Sequence, residues 1–375
     1  MQQFDYLVFG GGMAGASIGA ELATTARVLV IEREAHPGMH SSGRSAALFA
    51  ESYGGAEIRA LTRASRAFLQ APPPGFAEQP LLTPRGALFI ATADQRDALA
   101  GLAEELAESS PLRVSGGDLL ELIPRLHSPP IVEGIFDRHA MDIDVNGLLQ
   151  GYLRLFRQRG GQLVIEAQDC EVWFANGLWN AAGPWGSAAA PVIVNACGAW
   201  ADVFAARCGA QPLGLSPRLR TAVLVDPPAG TDITHWPATI DVEETFYFKP
   251  DAGKLLLSPA DETPSEACDA QPDELDIAIA VDRVQQALDL EVRRVNHSWA
   301  GLRTFAPDRV PVVGFDSQVE GFFWLAGQGG YGIQAAPALA RLSASLLQRV
   351  AAPEDILAEG LDPSRLDPGR FAAAR

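Results

Sequence analysis

Residues 10–15, Gly-Gly-Gly-Met-Ala-Gly, spell a G-x-G-x-x-G, and Glu32 follows 22 residues after Gly10. Each residue type has a task in holding a dinucleotide. Gly10 permits a tight turn, Gly12 removes the Cβ that would keep the backbone from a pyrophosphate, and Gly15 lets a helix lie close on the preceding strand. The phosphates would meet the unpaired N–H groups of the helix start, and Glu32 would accept from ribose hydroxyls. Two more glycine clusters have the same setting. Gly198 and the run Gly327-Gln328-Gly329-Gly330-Tyr331-Gly332 each follow an apolar stretch and precede a helix-like one. Glycines at strand ends put backbone N–H groups at the sheet edge where open α/β folds bind ligands.

The elements that must position these groups are readable in order. Residues 4–9 (FDYLVF) suit a buried parallel strand, 16–25 a helix and 27–31 (RVLVI) a second strand. Pro37-Gly38 marks a turn, and a polar loop leads to a helix expected to begin near Arg44, capped by Ser41, Ser42 or Ser45. Residues 56–69 read as an amphipathic helix, 81–91 as a strand, 93–109 and 119–126 as helical pieces before a break at Pro129-Pro130. The pattern of the first unit resumes with a helix at 146–159 and a strand at 162–167. A small meander at 171–190 and a strong strand at 192–196 follow. From 212 to 298 the pattern is mostly strand-like, at 221–225, 246–249 and 254–257, with one helix at 274–290; an antiparallel sheet acting as lid or substrate domain is expected. The last strand is 321–326 and the last helix 333–349, ahead of an alanine- and proline-rich end read as loosely ordered.

The 375 residues suffice for two domains or one large one with an ample core. Hydrophobic content of 47% and charged content of 20% are those of a globular protein. A formal charge of −17 argues against a nucleic-acid partner. Cys170, Cys197, Cys208 and Cys268 lack metal-ligand spacing and the six histidines show no H-x-x-x-H, so no metal is expected and reduced thiols are the default. With no signal-like start and no apolar stretch of membrane-spanning length, the expected location is cytoplasmic, peripheral contact at the inner membrane face being left open.

Taken together, HSSGRSAA at 40–47, PLLTPR at 80–85, ETFYFKPDAG at 244–253, SWAGLRTF at 298–305 and GQGGYGIQ at 327–334 form a specific set. The chain resembles, over essentially its whole length, the FAD-dependent oxidoreductases that include D-amino-acid oxidase, glycine oxidase and sarcosine oxidase, and looks nearest to their bacterial D-arginine dehydrogenase branch. The resemblance implies an α/β fold: a discontinuous, Rossmann-like FAD domain of the glutathione-reductase type (1–80, 140–210 and 299–375) with an α+β substrate domain built on an antiparallel sheet (81–139 and 211–298). It implies that Gly10, Gly12, Ala14, Gly15 and Glu32 hold the pyrophosphate and adenosine ribose. Arg33, Ser41, Gly43, Arg44, Ser45 and Ala46 would line the adenosine and flavin side, and Val164 would meet the adenine. Gly198 would add N–H groups at the sheet edge, and Gly330, Tyr331, Gly332 and Ile333 would present helix N-terminal N–H groups to the flavin pyrimidine. No cysteine stands in 301–316, so FAD is expected to be non-covalent.

For an amino-acid substrate the carboxylate needs a bidentate partner. Arg303 is the first candidate and Arg220 the second, with Tyr53 and Tyr247 to grip the carboxylate or cover the pocket. Gly330 would border the substrate. The chain departs from the D-arginine branch at Ala87, where a glutamate is expected, at Leu48, where a histidine is expected, and at Ala50, which replaces a hydroxyl residue. A pocket without that carboxylate lacks the partner for a guanidinium. Ala87 and Leu48 therefore favour an apolar or aromatic side chain. Glu51 is read either as a replacement charge or as an exposed helix carboxylate. The leading expectation is oxidation of a D-amino acid to the imino acid, which hydrolyses to 2-oxo acid and ammonia, with oxygen, a quinone or a carrier taking the electrons. The alternatives are an N-methyl or cyclic amino acid such as sarcosine or proline, a 2-hydroxy acid, D-arginine itself, or a non-catalytic FAD-binding protein with a partner.

Overall fold

The computed structural model describes residues 1–106, 111–128 and 130–374. Its centre is a six-stranded sheet in the order Gln162–Val164, Val28–Ile31, Tyr6–Phe9, Val192–Asn195, Phe322–Ala326, Val312–Phe315, parallel throughout except for the last, antiparallel edge strand. Strands covered on both faces read as continuous apolar runs. The pleat divides them: Val8, Val30, Val194, Phe323 and Leu325 belong to one core. Leu7, Leu29, Ile31, Ile193, Phe322 and Trp324 belong to the other. The first core is closed by the helices Met13–Leu22, Val145–Gln158 and Ala336–Leu347. The second is closed by a four-stranded sheet in which Glu171–Ala175, Leu178–Gly183 and Gly186–Ala190 form the expected meander and Gln2–Gln3 adds a parallel strand.

A nine-stranded sheet runs in the order Gln328–Gly329, Val295–Phe305, Ser216–Val225, Lys254–Ser258, Tyr247–Asp251, Ala238–Asp241, Ala87–Thr92, Ile131–Asp137, Leu112–Ser115. All its neighbours are antiparallel except Ala238–Asp241 with Ala87–Thr92. Helix Glu274–Ala287 buries Ala280, Val284 and Ala287 against it. The strand Val295–Phe305 passes through position 299 without a break.

Several local expectations are corrected. No helix begins near Arg44: residues 39–44 form turns, and Leu48–Phe49 pairs as a short strand with Met141–Ile143. The serines that suggested a cap are used by other elements. Glu51 lies in a turn and pairs with Arg66, whose Nε donates to it at 2.6 Å, so it is neither on a helix nor in the site. The stretch 81–91 is two strands, Leu82–Pro84 and Ala87–Thr92, separated at Gly86, whose φ is +75°. The helix expected over 93–109 is a 3₁₀ turn followed by Arg96–Glu105, and its expected end, 107–109, lies outside the described residues, as does Pro129. The last helix starts at Ala336 rather than 333: Gln328–Gly329 stays extended to pair with Thr304 and Phe305, and residues 332–335 form turns before the helix. The chain end is docked: Ile356 and Leu366 are fully buried, and Arg370 pairs with Asp308 at 2.7 Å. Among the described residues no helix is long and apolar enough to cross a membrane.

Candidate functional site

Gly10 donates to Ile31 O at 2.9 Å and has φ +102°, where a Cβ would be driven into the Ala196 carbonyl. A Cβ on Gly15 would run into Gly10 O. These two glycines are thus required by the turn itself. Gly12 is the N-cap of helix Met13–Leu22 and has no side chain to cap with; Ser42 does so from 29 residues away, its Oγ accepting the Met13 N–H at 2.9 Å. The buried Glu32 carboxylate accepts from Gly11 N at 2.6 Å and Glu34 N at 2.9 Å, which fixes it beside the turn.

A cavity of about 620 Å³ opens from this turn and extends to the nine-stranded sheet. Near the turn its wall includes Gly12, Ala14, Glu32, Arg33, Gly198 and Trp200. Arg33 lies over the Trp200 ring at 4.9 Å and pairs with Glu34 at 3.0 Å. Ser41, Arg44, Ser45 and Ala46 cross the middle. Ser41 Oγ donates to Leu302 O at 2.6 Å. Arg44 donates to Ala270 O at 2.7 Å and Ala300 O at 3.0 Å, pairs with Asp269, and its own carbonyl accepts from Trp299 Nε1 at 3.0 Å. Arg44 therefore clips the loop both to the strand Val295–Phe305 and to the segment before helix Glu274–Ala287, where Asp269 takes its charge. Gly330, Gly332, Ile333 and Ala336 complete the wall.

The far end holds the candidate substrate groups. Arg303 sits in the strand Val295–Phe305, its guanidinium buried, Nη2 3.4 Å from Tyr53 Oη and Nη1 3.5 Å from Glu262 Oε1. Nη1 finds no hydrogen-bond partner among the described residues. Burial works against its charge; the oxygens of Tyr53, Tyr331 and Tyr247 and the Glu262 carboxylate outweigh that and raise its pKa. A Cβ on Gly330 would be driven into this guanidinium, so the glycine permits their close approach. Arg220 shares the face, donating from Nε to Asp261 O at 3.0 Å and lying 5.9 Å from the Tyr247 ring centre. Tyr53 packs edge-on against Tyr331 at 5.0 Å.

Other candidates fall elsewhere. Val164 lies off the cavity wall, its carbonyl taken by the Glu32 N–H at 2.8 Å; Ala167 and Gln168 border the cavity instead. Gly43 closes its own turn on Gly38 O at 2.8 Å, and Tyr331 stands behind Gly330 and Gly332. Ala87 is fully buried beneath the wall, and Phe89, two residues on and on the same strand face, reaches the cavity. That period-2 relation was available in the pattern ALFIAT. With Leu48, Ala50, Tyr53 and Ile240, Phe89 belongs to one apolar cluster. Spacing alone did not show Glu262 or Lys249; Lys249 Nζ donates to Ala46 O at 2.9 Å and pairs with Asp142 at 2.6 Å, anchoring the loop that crosses the cavity.

The residues fit an extended dinucleotide. The turn offers N–H groups without side chains, and Glu32 offers acceptors. Two buried donor groups on the cavity wall, Thr304 Oγ1 and Gln328 Nε2, lack hydrogen-bond partners among the described residues. Thiol attachment has no donor at the far end: of the cysteines, only Cys170 and Cys197 border the cavity, on the side of the turn.

The model of the FAD dependent oxidoreductase family matches residues 5–346. Glycine oxidase of Geobacillus kaustophilus (strain HTA426) is 26% identical over 366 residues, covering 92% of this chain and 93% of that protein. The crystal structure of glycine oxidase from Geobacillus kaustophilus superposes with a TM-score of 0.83 at 22% identity, over 99% of each chain. That of L-proline dehydrogenase from P. horikoshii gives 0.83 at 19% identity, over 100% of this chain and 99% of that one.

Proposed function

From a chain that belongs to the family of FAD dependent oxidoreductases and so uses FAD, we propose an enzyme that oxidises a D-amino acid with an apolar or aromatic side chain. The observation that carries this reading is Arg303: a buried guanidinium at the cavity wall whose Nη1 lacks a hydrogen-bond partner among the described residues, with a tyrosine hydroxyl beside it. A planar fork in that setting suits a carboxylate.

Bound FAD supplies the acceptor for the hydride that leaves Cα. Arg303 and Tyr53 hold the substrate carboxylate, Arg220 adds charge from the next strand, and Tyr247 covers the approach. Leu48, Ala50, Phe89 and Ile240 take the side chain and keep water from it. Gly10, Gly12 and Ala14 hold the pyrophosphate end, and Glu32 the ribose. The loop Ser45–Ala46, anchored by Lys249, fixes the reacting centre. Positioning carries much of the rate, and the imino product hydrolyses to 2-oxo acid and ammonia. In this reading 1–80, 140–210 and 299–375 serve the cofactor and 81–139 and 211–298 the substrate, the strand Val295–Phe305 belonging to both. Electrons pass on to oxygen, a quinone or a carrier, and the enzyme works in the cytoplasm.

Anaerobic mixing with a panel of D- and L-amino acids tests this. Bleaching of the flavin absorbance by apolar or aromatic D forms is expected, and no bleaching by any amino acid sinks it. Repeating the panel in air with peroxide detection separates oxidase from dehydrogenase. A second reading, oxidation of glycine, sarcosine or proline, is favoured by the likeness to glycine oxidase and has the same clamp; the panel decides between them.

A further inference from the structure

Arg220 and Arg303 are diagonal neighbours on one face of two antiparallel strands, Arg220 opposite Gly301 and Arg303 opposite Arg218. Two guanidinia so close repel unless a negative charge lies between them. Glu262 supplies it. Its Oε1 is 3.4 Å from Arg220 Nη2 and 3.5 Å from Arg303 Nη1, and Arg309 Nη2 donates to both its oxygens at 2.8 Å. The carboxylate is fixed by its backbone: Leu219 N donates to Thr263 O at 2.9 Å, Ser265 N to Pro217 O at 3.0 Å, and Thr221 N to Asp261 Oδ1 at 2.6 Å. Burial pulls the Glu262 pKa up, but the hydrogen bond from Arg309 and the charges of Arg303, Arg309 and Arg220 outweigh it and hold it below the usual range, so the carboxyl stays ionised.

Glu262 lies behind the cavity wall, whereas both arginines are part of it. Arg309 is half exposed and not part of the cavity wall, yet it is the cation nearest to the Glu262 carboxylate and neutralises part of its charge. The cavity wall thus carries two guanidinia that share an anion lying behind it. Arg218 donates to the Glu262 carbonyl at 3.1 Å, and the Glu244 carboxylate also borders the cavity. The fixed charge of Glu262 opposes each further negative charge brought to Arg220 and Arg303. We propose that Glu262 is a specificity-determining residue that, acting through Arg220 and Arg303, weakens the binding of dicarboxylates relative to monocarboxylates. Removing its charge shifts the preference toward dicarboxylates. The inference rests on the carboxylate-clamp reading of the preceding subsection and adds to it a preference by charge.

The test titrates the FAD-loaded protein with propionate and with malonate, following the perturbation of the flavin absorbance, so that no turnover is needed. In Glu262→Gln, malonate should gain about tenfold over propionate relative to wild type, the size of one partly screened charge interaction. Glu262→Asp should keep the wild-type ratio. Arg309→Gln, which leaves Glu262 charged and removes its solvent-side partner, should move the ratio the other way. It also serves if the Gln variant does not fold. An unchanged ratio in Glu262→Gln, or in Arg309→Gln, overturns the inference while the clamp stands. If neither carboxylate perturbs the wild type, the clamp reading falls and this inference with it.

Discussion

Arg303 and Tyr53, 250 positions apart in the chain, meet with Nη2 and Oη 3.4 Å apart at the end of the cavity. The pair joins the long strand to the loop after Leu48–Phe49, and a ligand carboxylate there would touch both. Arg303→Met should lower kcat/KM for an amino-acid substrate by about 10²-fold or more, and Tyr53→Phe by roughly tenfold. Steady-state kinetics beside an amine lacking the carboxylate checks the assignment. The amine should be nearly indifferent to Arg303→Met, and equal losses for both substrates would refute the clamp.

Gly15→Ala should disable the cofactor site without touching the substrate groups. The added Cβ collides with the Gly10 carbonyl, so either the turn or the helix must shift. A loss of roughly 2–4 kcal/mol is expected from such a backbone conflict. The flavin-to-protein ratio after gel filtration and the denaturant midpoint should both fall; a fully loaded variant would count against the assigned pyrophosphate turn.

Hydride removal needs a neutral amine, so the anaerobic bleaching rate should rise about tenfold per pH unit until the substrate ammonium is titrated. Tyr331 should not contribute to this profile. Burial, and next the Tyr53 oxygen beside it, push its hydroxyl well above its ordinary value, so it stays protonated throughout. Tyr331→Phe should leave the shape of the profile unchanged, whereas a flat wild-type profile would remove the neutral-amine requirement.

The cysteines should differ sharply in reactivity. Burial pushes the Cys170 thiol up to about 11 and the Cys208 thiol up to about 12, and raises Cys197 as well. Cys268 is exposed. Iodoacetamide near neutral pH should label one thiol in the native protein and four after denaturation, by intact mass.

Acid stability should carry the mark of Glu262. Its folded pKa is depressed, so its contribution is present above the unfolded carboxylate value and is lost as pH falls through the folded one. The stability advantage of wild type over Glu262→Gln should therefore hold near neutral pH and shrink below about pH 4.3, the ordinary glutamate value. Chemical denaturation across that range measures it, and a gap that widens in acid would contradict the sign.

What the sequence disclosed was what depends on backbone need. Gly10 and Gly15 stand where a side chain cannot, and Glu32 sits at a fixed remove from them, so the motif was readable before any contact was known. The buried strands of the central sheet were readable as apolar runs, but which residue of each faces which core was not, since a strand covered on both faces shows no alternation. Ser42 was misread because a cap was assigned to the nearest helix downstream, while its hydroxyl caps one 29 residues upstream. Ala87 lies in a strand within the expected stretch, but Phe89, two residues on along the same face, is the one that borders the cavity. Glu262 was invisible, because its role exists only once three arginines from two other stretches surround it. The chain end looked disordered by composition, yet a few apolar residues, Ile356 and Leu366 among them, suffice to dock it.

The strand order of the central sheet also governs how the protein can be made. Val192–Asn195 pairs on one side with Tyr6–Phe9 and on the other with Phe322–Ala326. Until residue 326 has left the ribosome, a nascent chain carries that strand with an open apolar edge, waiting for a partner more than a hundred residues away. Such non-local pairing is slow, and exposed edges invite association with other chains. Synthesis rate and chaperone supply should therefore limit the yield of this protein before the intrinsic stability of its fold does.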